Sequence, residues 1–210
     1  IADHTQSTWN GIVGKIELKA RPKIQLAEVR IDTDVPNKTV LVSGDILNLN
    51  TEATAQKVAL KTELNSPRGG AQMRMDEEIN IDGKKTAFTI RIPLGDAALL
   101  WDEFDPNVYA ASLELESAAG TDFQELNFGI RDFGIEGTQF TINNRPVFLR
   151  GTLECAIFPK TGYPPTDVAE WKRIFNVVKS HGLNHVRFHS WCPPEAAFDA
   201  ADELGVYLQV

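Results

Sequence analysis

Apolar and polar residues alternate with a period of two from Ile24 to Arg131, and past Phe140 that period gives way to helical spacing. The runs IQLAEVRID, TVLVSGDILNL, KVALKTEL, MRMDEEINI, AFTIRIPL, YAASLELE and ELNFGIRDF put apolar side chains on one face of an extended chain. Successive strand side chains point to opposite sides, so each run predicts a half-buried strand. Turn clusters such as VPNK, NSPRGG and IDGKK separate them. Short strands at this spacing predict an immunoglobulin-like β-sandwich over residues 21–132. Cys155 and Cys192 both fall outside it, so no disulfide ties its sheets.

Residues 1–20 contain one short alternating run, Ile12 to Leu18. One strand cannot bury itself, so this segment reads as the terminal strand of an upstream domain. Past the sandwich, FTINNRPVFLRG predicts a hairpin with Asn143 and Asn144 near its turn. In TDVAEWKRIFNVVKSHG, the residues Val168, Trp171, Ile174, Phe175 and Val178 recur at helical spacing. Asp167 caps that helix, Glu170 follows three residues later, and Gly182 ends it. A strand, LNHVRF, leads to a second helix, PEAAFDAADELG, with Pro194 at its first turn and Gly205 past its end. VYLQV closes the series.

Strand, helix, strand, helix, strand predicts parallel strands joined by right-handed crossovers over residues 133–210. Two folds are built this way. A (β/α)8 barrel takes ~250 residues, of which this would be the first quarter. A doubly wound nucleotide fold would show G-x-G-x-x-G after its first strand, where GTLECAIFPKTG stands instead. The predicted fold class is multidomain β plus α/β: the sandwich, then the first βαβαβ units of a truncated (β/α)8 TIM barrel. A barrel cut short should expose apolar faces and associate.

Composition narrows the partners. A net charge of −8 over 210 residues, with acids and bases interspersed, lacks the clustered Lys and Arg of a nucleic-acid footprint. No apolar run approaches the ~20 residues of a membrane span, and no signal-peptide pattern opens the chain. The cellular address is open. Two cysteines are too few for a disulfide framework and lack metal spacing.

Candidate chemistry gathers in RFHSWCPPE, which follows a parallel strand, where barrel sites lie. Arg187 offers a fork of donors to a carboxylate or hydroxyl. His189 offers a donor to a ligand hydroxyl, and Trp191 a ring to stack on an apolar ligand face. The competing reading has Arg187 orienting a buried carboxylate while His189 and Trp191 pack the rim. Glu154, at the end of the preceding strand, is either an acceptor for a ligand hydroxyl or a structural carboxylate. Cys155 and Cys192, on adjacent loops, form either a disulfide or two buried thiols. His181, His185 and His189 recur every four residues, but Gly182 and the strand break any helical metal face. Asp199, Asp202 and Glu203 read as a solvated helix face. No G-x-S-x-G motif supports a serine hydrolase.

The order of parts resembles glycoside hydrolase family 2, which includes β-galactosidases, β-glucuronidases and β-mannosidases. The resemblance covers nearly the whole chain. WNGIVGKIEL is similar to the exit strand of the family's sugar-binding jelly roll. LLWDEFDPNVYAASLEL is similar to a stretch of its sandwich, and FGIRDFGIEGTQFTINNRPVFLRG with KSHGLNHVRF to its crossover into the catalytic barrel. Trp9, Trp101 and Tyr109 match structural positions, and Trp171 fits the stripe of the first barrel helix.

The resemblance implies an exo-acting, retaining β-glycosidase, β-galactosidase-like, that hydrolyses O-glycosidic bonds. It implies a carbohydrate partner and allows a homo-oligomer of the full-length protein, while the residues of this chain are read as offering no cofactor and no metal site. Retention needs two carboxyls ~5–5.5 Å apart. The family places both Glu residues later in the barrel, so this chain alone is expected to hold no catalytic residue and to be inactive. The family's second-strand motif, Arg then His-Tyr-Pro after two residues, carries over to Arg187, with His189 one residue early. Where family members carry a His-rich stretch after the first strand, this chain has Glu154 and Cys155. The alternative is a non-catalytic sandwich that binds carbohydrate or a partner.

Overall fold

The computed structural model describes residues 9, 11–52, 54–70 and 72–210. They form two compact units. One comprises Leu18–Leu100 and Asn107–Asp132, and the other comprises Trp101–Pro106, Phe133–Val210 and the described part of Ile1–Glu17. The second unit thus recruits six residues that the alternating pattern leaves inside the sandwich.

The first unit is a two-sheet sandwich. Its strands are β1 (Ile24–Asp34), β2 (Thr39–Asn48), β3 (Gln56–Asn65), β4 (Gln72–Ile81), β5 (Lys85–Pro93), β6 (Val108–Ser117) and β7 (Gly120–Gly129). The sheets run β1-β2-β5 and β4-β3-β6-β7, all antiparallel. Alternation sends Leu26, Val42 and Ile90 from one sheet, and Leu60, Leu64 and Leu113 from the other, into a shared core that excludes water. A bulge between Ala27 and Arg30 shifts the register of β1 against β2, with Glu28 at φ 49°. A buried carboxylate locks the start of β1. Asp122 of β7 accepts from Arg21 Nη2 at 2.6 Å and from the Leu26 amide at 2.8 Å.

The second unit begins with an antiparallel meander, β8 (Phe133–Glu136), β9 (Gln139–Ile142) and β10 (Arg145–Pro146). Asn143 and Asn144 both take positive φ at its second turn, the conformation that two-residue hairpins require. Then follow β11 (Gly151–Glu154), α1 (Val168–Ser180), β12 (His185–Phe188), α2 (Glu195–Leu204) and β13 (Tyr207–Gln209). The three strands are parallel in the order β11-β12-β13. The α1 cap forms as the sequence predicts, with Asp167 accepting from the Glu170 amide at 2.8 Å. Trp171 and Phe175 of α1 pack with Val186 and Phe188 of β12 and with the alanine face of α2.

Residues Trp101–Pro106 close the N-terminal end of these parallel strands. Glu103, buried, faces Asn184 and Arg150, and Asn184 accepts from the Arg150 amide at 2.7 Å. Trp101 donates its indole N–H to the Asp202 carbonyl at 2.7 Å, and Asn143 donates to the Trp101 carbonyl. Trp101 and Tyr109 are buried as read from the sequence, but Trp101 belongs to the second unit rather than the sandwich.

The alternating run Ile12 to Leu18 forms no strand. Ile12, Ile16 and Leu18 are exposed, because no strand among the described residues pairs with this run. The rest of that predicted segment, residues 1–8 and 10, lies outside the described residues.

Candidate functional site at the ends of the parallel strands

Register sorts the candidate side chains onto two faces. Neighbouring residues in a parallel pair share a face, and Leu153 pairs with Arg187 while Glu154 pairs with Phe188. Val186 and Phe188 are buried against the helices, so Arg187 and His185 lie on the opposite face. Arg187 is exposed there, and so is Leu153. The open side of this sheet therefore carries a guanidinium at its C-terminal edge, available to a ligand.

His185 lies on the same side, one turn of the pleat back. Burial, and then the positive charge of Arg187, push its imidazole below the ordinary value. A Cβ at Gly151 would come within 2.4 Å of His185 Nδ1, so a side chain there would displace the imidazole from its present position. Sequence spacing grouped His185 only with a helical metal pattern. Its parity with Arg187 is the signal that places the two on one face. Among the described residues no three His, Cys, Asp or Glu side chains converge.

Glu154 sits apart from Arg187, on the helix side. Both its carboxylate oxygens accept from the Ala156 amide at 3.0 Å, and Oε2 accepts from Trp191 Nε1 at 2.8 Å. Burial pushes its carboxyl above the ordinary glutamate value, against the pull of these donors. It also lines one end of a groove of about 840 Å³ between the segment after β11 and α1, beside Phe158, Tyr163 and Trp171.

Trp191 is only 8% exposed. Phe188, Trp9 and Phe158 meet it edge to face with centroids 5.3, 5.8 and 6.0 Å away. Trp191 is therefore buried in an aromatic cluster, with its indole N–H turned to Glu154. His189 is half-buried. Its amide donates to the Glu154 carbonyl at 2.8 Å, and its Nδ1 is buried with no hydrogen-bond partner among the described residues. Cys155 and Cys192 are both free thiols, and Cys192 is exposed rather than buried.

The strand ends thus present Arg187 to solvent, hold His189 half-buried, and bind Glu154 to Trp191. The sequence model of glycosyl hydrolases family 2 matches residues 24–131, slightly more than half of the chain. The chain belongs to glycosyl hydrolase family 2. Among curated relatives, a β-galactosidase of Leuconostoc mesenteroides is 25% identical over 97% of this chain and 20% of its own length. A β-galactosidase of Arthrobacter sp. (strain B7) is 26% identical over 99% of this chain and 18% of its own. The chain spans about a fifth of the length of these relatives. In solved structures the same fold recurs in a family 2 member from Bacteroides cellulosilyticus, with a TM-score of 0.72 and 20% identity over 89% of this chain and 24% of that one. β-Glucuronidase 2 of Bacteroides uniformis superposes with a TM-score of 0.71 and 20% identity, again over 89% of this chain and 24% of that one. No helix among the described residues is long and apolar enough to cross a membrane.

Proposed function

We propose that this family 2 chain is part of a retaining, exo-acting β-glycosidase of β-galactosidase type, acting on O-glycosidic bonds in carbohydrates. In this reading residues 1–20 end a sugar-binding jelly roll, residues 21–132 form the sandwich, and residues 133–210 open the catalytic (β/α)8 barrel. One observation carries the reading. A family 2 sandwich is followed in the chain by three parallel strands in sequential order, with Arg187 exposed at their C-terminal edge. Barrel enzymes bind substrate at that edge.

Arg187 then binds sugar oxygens through its fork of donors, and His189 donates to a hydroxyl. Both position the substrate rather than break its bond. Retention needs two carboxyls ~5–5.5 Å apart. The ends of β11, β12 and β13 carry one, Glu154, which is already engaged by Trp191. The nucleophile and the acid/base therefore come from elsewhere in the enzyme, and the chain by itself turns nothing over.

The test is hydrolysis of aryl β-galactosides, β-glucuronides and β-mannosides by the enzyme that contains this chain. Cleavage of the galactoside above the others is expected, and Arg187→Ala should raise KM more than it lowers kcat. Cleavage of none of the three overturns the reading.

A further inference from the structure

We propose that Glu154 is a positioning residue: it holds the segment after β12, and with it the His189 imidazole, where a sugar hydroxyl can be met. The inference rests on the glycosidase reading above and departs from the expectation that Glu154 touches sugar itself.

Glu154 grips the neighbouring strand end twice. Its carbonyl accepts from the His189 amide at 2.8 Å, and its carboxylate accepts from the Trp191 indole at 2.8 Å. These partners lie on either side of Ser190, so the two bonds clamp three consecutive residues. The same carboxylate accepts from Ala156 at 3.0 Å, which ties the segment after β11 into the clamp. The indole arm is stiff, since Trp191 is wedged among Phe188, Phe158 and Trp9. A charge-assisted bond to a buried donor is also the strong kind.

Register explains why the carboxylate serves this purpose. Glu154 shares a face with buried Phe188, away from exposed Arg187, so its acceptor atoms point at the clamp and not at the open side of the sheet. His189 Nδ1, buried and without a hydrogen-bond partner among the described residues, does not anchor the ring. The main-chain bond and the indole two residues on do so instead.

Three variants test this: Glu154→Ala, Glu154→Gln and Trp191→Phe, the last keeping an aromatic ring in the cluster while deleting the indole donor. In the 210-residue chain, NMR reads the His189 imidazole through its ring resonances. Glu154→Ala and Trp191→Phe should both displace these resonances while signals of the sandwich core around Tyr109 stay fixed. Glu154→Gln, which keeps an acceptor oxygen, should return them most of the way. In the enzyme that contains this chain, Glu154→Ala and Trp191→Phe should raise KM for an aryl β-galactoside roughly tenfold, the worth of about one good hydrogen bond.

If Glu154→Ala fails to fold, Trp191→Phe decides alone. Unmoved His189 resonances in a folded Trp191→Phe or Glu154→Ala variant overturn the proposal, as does a failure of Glu154→Gln to restore them. If the unmodified enzyme cleaves no glycoside, the glycosidase reading falls, and the resonances then decide the Glu154 clamp by themselves.

Discussion

Gly205 lies directly against the backbone of Glu103: a Cβ built on Gly205 would stand 2.7 Å from the Glu103 carbonyl oxygen. Gly205 also holds φ at 69°, where it ends α2 and turns the chain into β13. Two independent constraints therefore demand glycine. Gly205→Ala should destabilise the unit by about 2–4 kcal/mol, combining left-handed strain with overpacking against a backbone that cannot yield. Urea unfolding followed by tryptophan fluorescence measures it.

Asn184 stands at the centre of the contacts that Glu103 makes. It accepts from the Arg150 amide at 2.7 Å, donates to the Phe148 carbonyl at 3.0 Å, and donates to the Glu103 carboxylate. At 3% exposure no water can replace these bonds. Asn184→Ala should cost about 2–4 kcal/mol, since it strands a buried carboxylate and an amide together. Asn184→Asp should be worse than Ala, because it sets a second negative charge beside Glu103. The order of the two midpoints in urea checks the assignment.

In the sandwich the corresponding point is Asp122, at 4% exposure, which satisfies both Arg21 and the Leu26 amide. Asp122→Ala should lower sandwich stability by about 2–4 kcal/mol, because removing one partner leaves a part-buried guanidinium and a buried amide unmet. Hydrogen exchange should quicken first at Leu26 and along β1.

Two groups give the second unit opposite responses to pH. His185 titrates below 6.5 in the fold. Its neutral form is favoured there, so its share of stability is present above the ordinary imidazole value and is lost as pH falls from 6.5 toward the depressed folded value. Arg187→Gln removes one cause of the depression and should raise the His185 midpoint in an NMR titration. Glu154 is displaced the other way, upward by burial. The fold holds its proton more tightly than the unfolded chain does, so stability falls as pH rises from the ordinary glutamate value through the folded one. Glu154→Gln should flatten that segment of the stability curve.

The sandwich strands were legible because each buries one face, and a period of two survives in residues such as Val40, Val42, Ile90 and Ile92. Helix α1 was legible for the same kind of local reason, with Asp167, Glu170 and Gly182 marking its ends. What local pattern does not carry is which unit a loop joins. Trp101–Pro106 sits in sequence between sandwich strands yet packs under β12 and β13, through bonds to residues far along the chain.

The candidate site was half legible. Arg187 stands exposed where the strand-end reading put it, because strand parity alone fixes its face. Trp191 is buried where a ligand-facing ring was expected, since burial of a loop aromatic depends on Trp9, Phe158 and Phe188, which no local pattern links to it. Glu154 could have been sorted from sequence by one further step, namely pairing TLE with VRF in register and noting that Glu154 falls beside Phe188.

In the proposed function this family 2 chain positions sugar, and the catalytic carboxylates come from elsewhere in the enzyme. Release of nitrophenol from aryl β-galactosides, measured on the purified 210-residue chain beside the enzyme that contains it, tests that division. Turnover is expected from the enzyme and none above buffer from the chain. Turnover by the chain alone, retained after removal of contaminating activity and abolished by a substitution within residues 1–210, would contradict it.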